Sequence, residues 1–246
     1  MSIDDIMFVI AAFFLSAFLK GITGMGFSTI CLGLIATFVD IKLAIPLVIF
    51  PSLSSNLLVM RDAGHFRIAL KRFWVLFLSA LPGLALGLWL LDAVANDTAR
   101  VVLGVVLFLY GAWSLLGAAP ELAPRWEKAL NAPVGFVTGV VNGLTGSQVM
   151  PVLPYFVALK LEKDLFVQSI NISFTASSLV MLLGLSHLGL LSWPIAGISA
   201  VGIPLVALGI WLGAKVRRRI PDALFTKLVL GLLMLLGLNL MAKMLW

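Results

Sequence analysis

Gly21-Ile22-Thr23-Gly24 returns 122 positions later as Gly143-Leu144-Thr145-Gly146. Each copy interrupts a long apolar segment. The match continues without a gap: His65 falls on His187, Pro82 on Pro204, and Leu86-Gly87-Leu88-Trp89-Leu90 on Leu208-Gly209-Ile210-Trp211-Leu212. A leucine-rich composition produces chance leucine matches, but not aligned glycines, prolines, histidines and tryptophans. Apolar segments broken by glycine at corresponding places in two halves are the best sequence pointer to a transporter site.

The surrounding chain is that of a membrane protein. Of its 246 residues 61% are hydrophobic and 11% are charged, where soluble domains carry about 25% charge. Apolar runs cover 6–39, 43–60, 73–91, 98–117, 132–159, 165–185, 193–214 and 223–245, and a membrane span needs roughly 20 apolar residues. The longest polar interval, 117–131, is the length of a linker, which leaves no room for a soluble domain. The net charge of +6 sits in loops between apolar runs, so it reads as topology information rather than as a nucleic-acid surface. Cys31 is the one cysteine, which excludes an intrachain disulfide. The acidic start, Met-Ser-Ile-Asp-Asp, lacks the basic region of a cleaved signal, so the first apolar segment is expected to be retained.

The expected fold is all-α and membrane-integral, built from two repeats. The first covers 1–117, with a hairpin over 6–39 and spans over 43–60, 73–91 and 98–117. A linker covers 118–131. The second repeat covers 132–246, with a hairpin over 132–159 and spans over 165–185, 193–214 and 223–245. Segment 6–39 would make a helix of about 50 Å, far beyond a hydrocarbon core of about 30 Å. It either crosses once as a broken helix or enters and leaves on one side. The basic residues choose. Loop 61–72 holds Arg61, Arg67, Lys71 and Arg72, while its counterpart near 186–193 holds none; loop 92–100 holds one Arg, while its counterpart 215–222 holds Lys215, Arg217, Arg218 and Arg219. Equivalent loops therefore face opposite sides by the positive-inside rule. That requires an odd number of crossings per repeat, hence re-entrant hairpins and inverted repeats.

A helix broken within the membrane must be buried in protein or line a cavity. New half-helices are expected to start near Ser28 and near Ser147, with free N–H groups and positive dipole ends turned to a shared midplane space. Such ends suit anions. Thr23, Ser28, Thr145, Ser147 and Gln148 supply donors there, and Gly24, Gly26 and Gly146 let the backbone approach. Lys20 precedes the first motif and Asn142 is its repeat partner; an intramembrane lysine is a functional-site hypothesis by default. The second span of each repeat adds a polar cluster, with Ser52, Ser54, Ser55 and Asn56 in one and Asn171, Thr175, Ser177 and Ser178 in the other. Ser55, Asn56 and Ser177 are taken as cavity residues, against interhelical hydrogen bonding as the bland reading. His65 and His187 read as loop residues. Gly83/Gly87 and Gly209/Gly213, four apart, are close-contact sites and suggest a homodimer.

On these residues the chain resembles the sulfite exporter TauE/SafE family, also called toluene-sulfonate uptake permeases. Gly21-Ile22-Thr23-Gly24-Met25-Gly26-Phe27 keeps part of the family's glycine run, while the second copy keeps its first glycines and Pro151 but carries Ser147-Gln148 in place of further glycines. The resemblance implies movement of a small anion, often sulfite, a sulfonate or sulfoacetate, across a bacterial inner membrane. The expectation is a secondary transporter working by alternating access, with an anion channel as the alternative. No cofactor is expected, since no Gly-x-x-x-x-Gly-Lys-Ser/Thr motif is present. An enzyme is not expected, because no paired carboxylates or activated nucleophile lie at mid-depth. The expected partners are a small anionic substrate and the lipid bilayer.

Overall fold

The computed structural model describes residues 3–23, 26–117, 121–217 and 222–242. Among these residues it contains helices and no strand: α1 (Ile3–Thr23), α2 (Phe27–Ile35), α3 (Ile41–Ala63), α4 (Phe66–Ala93), α5 (Asn96–Leu116), α6 (Pro124–Thr145), α7 (Val152–Ala158), α8 (Lys163–His187), α9 (Trp193–Arg217) and α10 (Asp222–Ala242). Six of them, α1, α3, α4, α5, α8 and α9, are long and apolar enough to cross a membrane.

Two sequence expectations are corrected here. Loop 61–72 is mostly helical, because α3 runs on to Ala63 and α4 begins at Phe66. Phe73 has non-helical angles (φ −116°, ψ 17°), a kink where the apolar run starts. Arg67, Lys71 and Arg72 thus lie on turns of α4 ahead of its apolar part. The other correction concerns the broken segments. The helices on the two sides of each break are unequal in length. α1 runs 21 residues without interruption, about 31 Å, before the motif ends it. The return arms are short, nine residues in α2 and seven in α7. In the second repeat the new helix begins at Val152 rather than near Ser147, so 146–151 is a non-helical tip. In the first it begins at Phe27, next to the expected Ser28.

The chain turns back at each tip. Past α2, the Phe38 ring packs edge-on to Phe8 near the start of α1, with centroids 4.5 Å apart. At the end of α7, the Leu122 N–H donates to Ala158 O (2.8 Å), and the Tyr155 hydroxyl meets Glu127 O and Asn131 Oδ1 at 2.9 Å.

Glycine contacts fix how the long helices run. Along α9, Gly209 faces Phe14 and Ala17, and Gly213 faces Phe18 and Gly21, so α1 and α9 point the same way. Along α6, Gly135 faces Leu76, Gly139 faces Ala80 and Leu84, and Gly143 faces Leu84 and Leu88, so α4 and α6 also point the same way. By contrast Gly104 faces Gly237 while Gly111 faces Leu230 and Met234, so α5 and α10 are opposed. α3 and α8 are opposed too: Met60 meets Thr175, while Ile45 and Val48 share a cavity with Met181. Gly83 lies against Phe136 O and Gly87 against Val140 O. All four glycines offered above for a dimer are therefore occupied within the chain.

Candidate functional site

The two hairpin tips meet. The Ser28 hydroxyl, on the first turn of α2, donates to Gly146 O across 3.2 Å. Both tips need the left-handed conformation that glycine adopts readily: Gly26 caps α2 at φ 89°, and Gly146 ends α6 at φ 71° with its N–H on Asn142 O (2.7 Å). A Cβ at Gly146 would lie 2.8 Å from Leu32 Cδ1 and 3.0 Å from Ile45 Cγ1. The second tip is thus wedged between α2 and α3.

Between the tips lies a cavity whose polar lining is Ser28, Ser52, Asn142, Gln148 and Ser178. Its volume is about 10 Å³, room for roughly one water. The lining has unused hydrogen-bonding capacity. Gln148 Nε2 donates to Ser178 Oγ (3.0 Å), but its Oε1 has no partner among the described residues. Asn142 is buried with neither amide atom paired among them, and the nearby Ser147 hydroxyl is in the same state. Orphaned buried polar atoms cost about 1–3 kcal/mol each, so four of them at one tip ask for a ligand-side explanation.

Lys20 stands behind this cavity. It occupies the last turn of α1, 3% exposed, and its ammonium donates to Ser55 Oγ and Asn56 Oδ1 of α3, both at 2.9 Å. Ser55 in turn donates to Ser52 O (2.7 Å), and Ser52 lines the cavity. An ammonium carries three donors, and two are engaged among the described residues. The ion pairs among the described residues, Arg72–Glu127 and Arg100 with Asp40 and Asp97, are exposed and involve other helices. Lys20 thus has only neutral partners among the described residues. A buried charge without a counter-ion is strongly unfavourable, and an anion arriving in the cavity would supply that counter-ion.

The structure sorts the sequence candidates. It brings Ser28, Asn142, Gly146 and Gln148 to the cavity, with Lys20, Ser55 and Asn56 adjoining through Ser52. Thr145 is used structurally: its hydroxyl donates to Val141 O (2.7 Å) and accepts from the Ser147 N–H (3.1 Å). Ser177 is buried but does not line the cavity; Ser178 does. Ser178 is the repeat partner of Asn56, a match that the internal alignment already contained. The second helix end lies at Val152, on a seven-residue helix, rather than near Ser147. Gly24 and the Thr23 side chain lie outside the described residues. Gly21 and Gly143 serve close helix contact rather than a ligand: a Cβ on Gly21 would lie 2.5 Å from Ile210 O, and on Gly143 2.5 Å from Leu84 O. His65 and His187 sit at helix boundaries.

One expected result follows from the orphaned amide. Asn142→Leu keeps the volume and removes two unpaired polar atoms, so the ligand-free protein should melt at the same temperature or higher. Its stabilisation by a bound oxyanion should weaken at least about tenfold in apparent affinity, one lost charge-assisted hydrogen bond. Melting curves with and without the anion check both parts.

Compared with known families, the chain matches the model described as "Sulfite exporter TauE/SafE" over residues 9–240. No curated protein and no solved structure matches it.

Proposed function

The chain belongs to the sulfite exporter TauE/SafE family, and from that premise we propose that it is a secondary transporter that carries a small oxyanion, sulfur-containing as in sulfite, a sulfonate or sulfoacetate, across the bacterial inner membrane. The observation that carries the reading is Lys20, a buried lysine held by neutral groups and joined to the cavity between the tips through two hydrogen bonds, by way of Ser55 and Ser52. The substrate charge would meet Lys20, Gln148, Asn142 and the first turn of α2.

Alternating access fits the arrangement better than an open pore. The cavity is small, with tips in contact and room for about one water, so an anion must separate the hairpins to bind. Inverted repeats provide such a motion by rocking one half against the other. The helix directions support that topology: α3 and α5 run opposite to their counterparts α8 and α10, and the parallel pair α1–α9 recurs as its repeat equivalent, α6–α4. Asp40, Asp97 and Arg100 gather at one end, where Lys42 also reaches Asp92 O, and Arg72 and Glu127 lie at the other.

Purified protein should be stabilised by its own substrate and not by mismatched anions. At a hundredfold excess over Kd the gain is about 2.7 kcal/mol, or about 5–10 °C in melting temperature. Sulfite, thiosulfate, sulfoacetate, taurine and simple carboxylates form the panel. Counterflow in proteoliposomes then separates carrier from channel: unlabelled anion on the far side should speed entry of labelled anion. Flux indifferent to that anion would favour the channel.

A further inference from the structure

The two helices that bound the cavity change character at the same level. On α3, Ile45, Val48 and Ile49 lead up to Ser52, and beyond it come Ser55 and Asn56. On α8, Gln168, Asn171, Thr175 and Ser178 recur at spacings of three and four, which puts them on one helix face. The same face continues past Ser178 as Met181 and Leu185, both buried. Because α3 and α8 run in opposite directions, both polar halves lie on one side of the cavity. That is the side of the Gly64–His65 turn and of Lys163. Both apolar halves lie on the other.

The polar half is buried yet under-bonded. Asn56 Nδ2 and Gln168 Oε1, with Ser169 Oγ and Ser173 Oγ on the adjoining face of α8, have no partner among the described residues. Where the polar seam touches, between Thr175 Oγ1 and Met60 Sδ, the contact is a weak one at 4.0 Å. Pure packing against lipid or helix would not retain so many unpaired donors and acceptors. A polar solute passing between the helices would use them. An apolar constriction, by contrast, excludes a hydrated ion.

We propose that the anion reaches the cavity along the α3–α8 seam, past Gln168, Asn171 and Thr175, from the face that carries the Gly64–His65 turn, and that Ile45, Val48, Ile49 and Met181 form the gate toward the opposite face. This rests on the reading of the cavity as an anion site. Lys20 lies on the polar side through Ser55 and Asn56, so an anion entering along the seam meets the fixed charge before the gate. Arg61, Arg67, Lys71 and Lys163 occupy the same end of the helix bundle and would concentrate anions there.

The test uses Cys31, the single native cysteine, which is buried. In a Cys31→Ser background, Gly64→Cys marks one face of the membrane, and Gln168→Cys, Asn171→Cys and Ile49→Cys probe the route. A membrane-impermeant thiosulfonate reagent is applied to either face of sealed vesicles, with methanesulfonate as the protecting anion. Asn171→Cys and Gln168→Cys should react from the Gly64→Cys face only, at least tenfold faster than Ile49→Cys, and methanesulfonate should slow them. Reaction from the opposite face, or faster labelling of Ile49→Cys, overturns the route. Ile49→Ala combined with Met181→Ala should open a chloride leak; tight vesicles would overturn the gate. Reversed labelling with counterflow intact removes this inference alone, whereas correct sidedness without protection or stabilisation by any anion removes the anion site itself.

Discussion

Replacing Lys20 with Gln is expected to abolish anion transport while leaving the ligand-free protein as stable as before, or more so. The two effects have opposite signs because one charge is responsible for both. In the empty protein the ammonium is buried against Ser55 and Asn56 without a carboxylate among the described residues, and desolvation opposes it. Glutamine removes that cost and still donates to Asn56 Oδ1. With an anion bound, the same ammonium is the counter-ion. A unit charge at about 4 Å and an effective dielectric constant of about 20 contributes about 4 kcal/mol, near a thousandfold in affinity. Counterflow should therefore fall to background, and the substrate-induced rise in melting temperature should vanish, with the ligand-free melting temperature unchanged or higher. Lys20→Arg should not restore transport, since its planar fork does not fit a position shaped for a point charge. Transport by Lys20→Gln within a few fold of the parent would show that Lys20 is a structural residue.

Much of this was legible because the repeat carried it. Lys20 stood out as a lysine deep in an apolar segment, and its partners Ser55 and Asn56 as polar residues in an apolar span. The meeting of the two tips followed from the paired motifs. What the sequence could not convey were lengths and registers. Apolarity does not give the lengths of the two arms within 6–39, and α1 is a full-length helix with a short return arm. Hydropathy also ends a span at its first charges, whereas α4 continues through Arg67, Lys71 and Arg72 because a helix can run on into the interface. Thr145 looked like a ligand donor because composition cannot reveal that its hydroxyl folds back on Val141 O. Ser177 and Ser178 are adjacent, and only the helix rotation decides that Ser178 faces the cavity.

The first glycine of each motif leads to the other large effect. Gly143→Ala is expected to prevent folding or to cost at least about 3 kcal/mol, about 6–12 °C in melting temperature, although the change adds one methyl group and raises helix propensity. The new Cβ would lie 2.5 Å from Leu84 O and 2.7 Å from the backbone nitrogen of Leu88. Those are backbone atoms of α4, so no rotamer change relieves the clash and the α4–α6 pair must separate. Gly21→Ala should behave alike, because its Cβ would meet Ile210 O at 2.5 Å and disturb the equivalent α1–α9 pair. Gly197 is the control. It lies on α9 with nothing within 4 Å of its Cβ, so Gly197→Ala should be neutral or gain up to about 1 kcal/mol. The contrast bears on transport as well as folding. Each pair joins one hairpin's long arm to the fourth helix of the opposite half, so separating them moves the tips that hold Ser28, Asn142 and Gly146. A Gly143→Ala protein that melts like the parent but has lost anion stabilisation would place this glycine in the site rather than in the packing. Equal melting of Gly143→Ala and Gly197→Ala with transport intact would show that α4 and α6 are not held this closely.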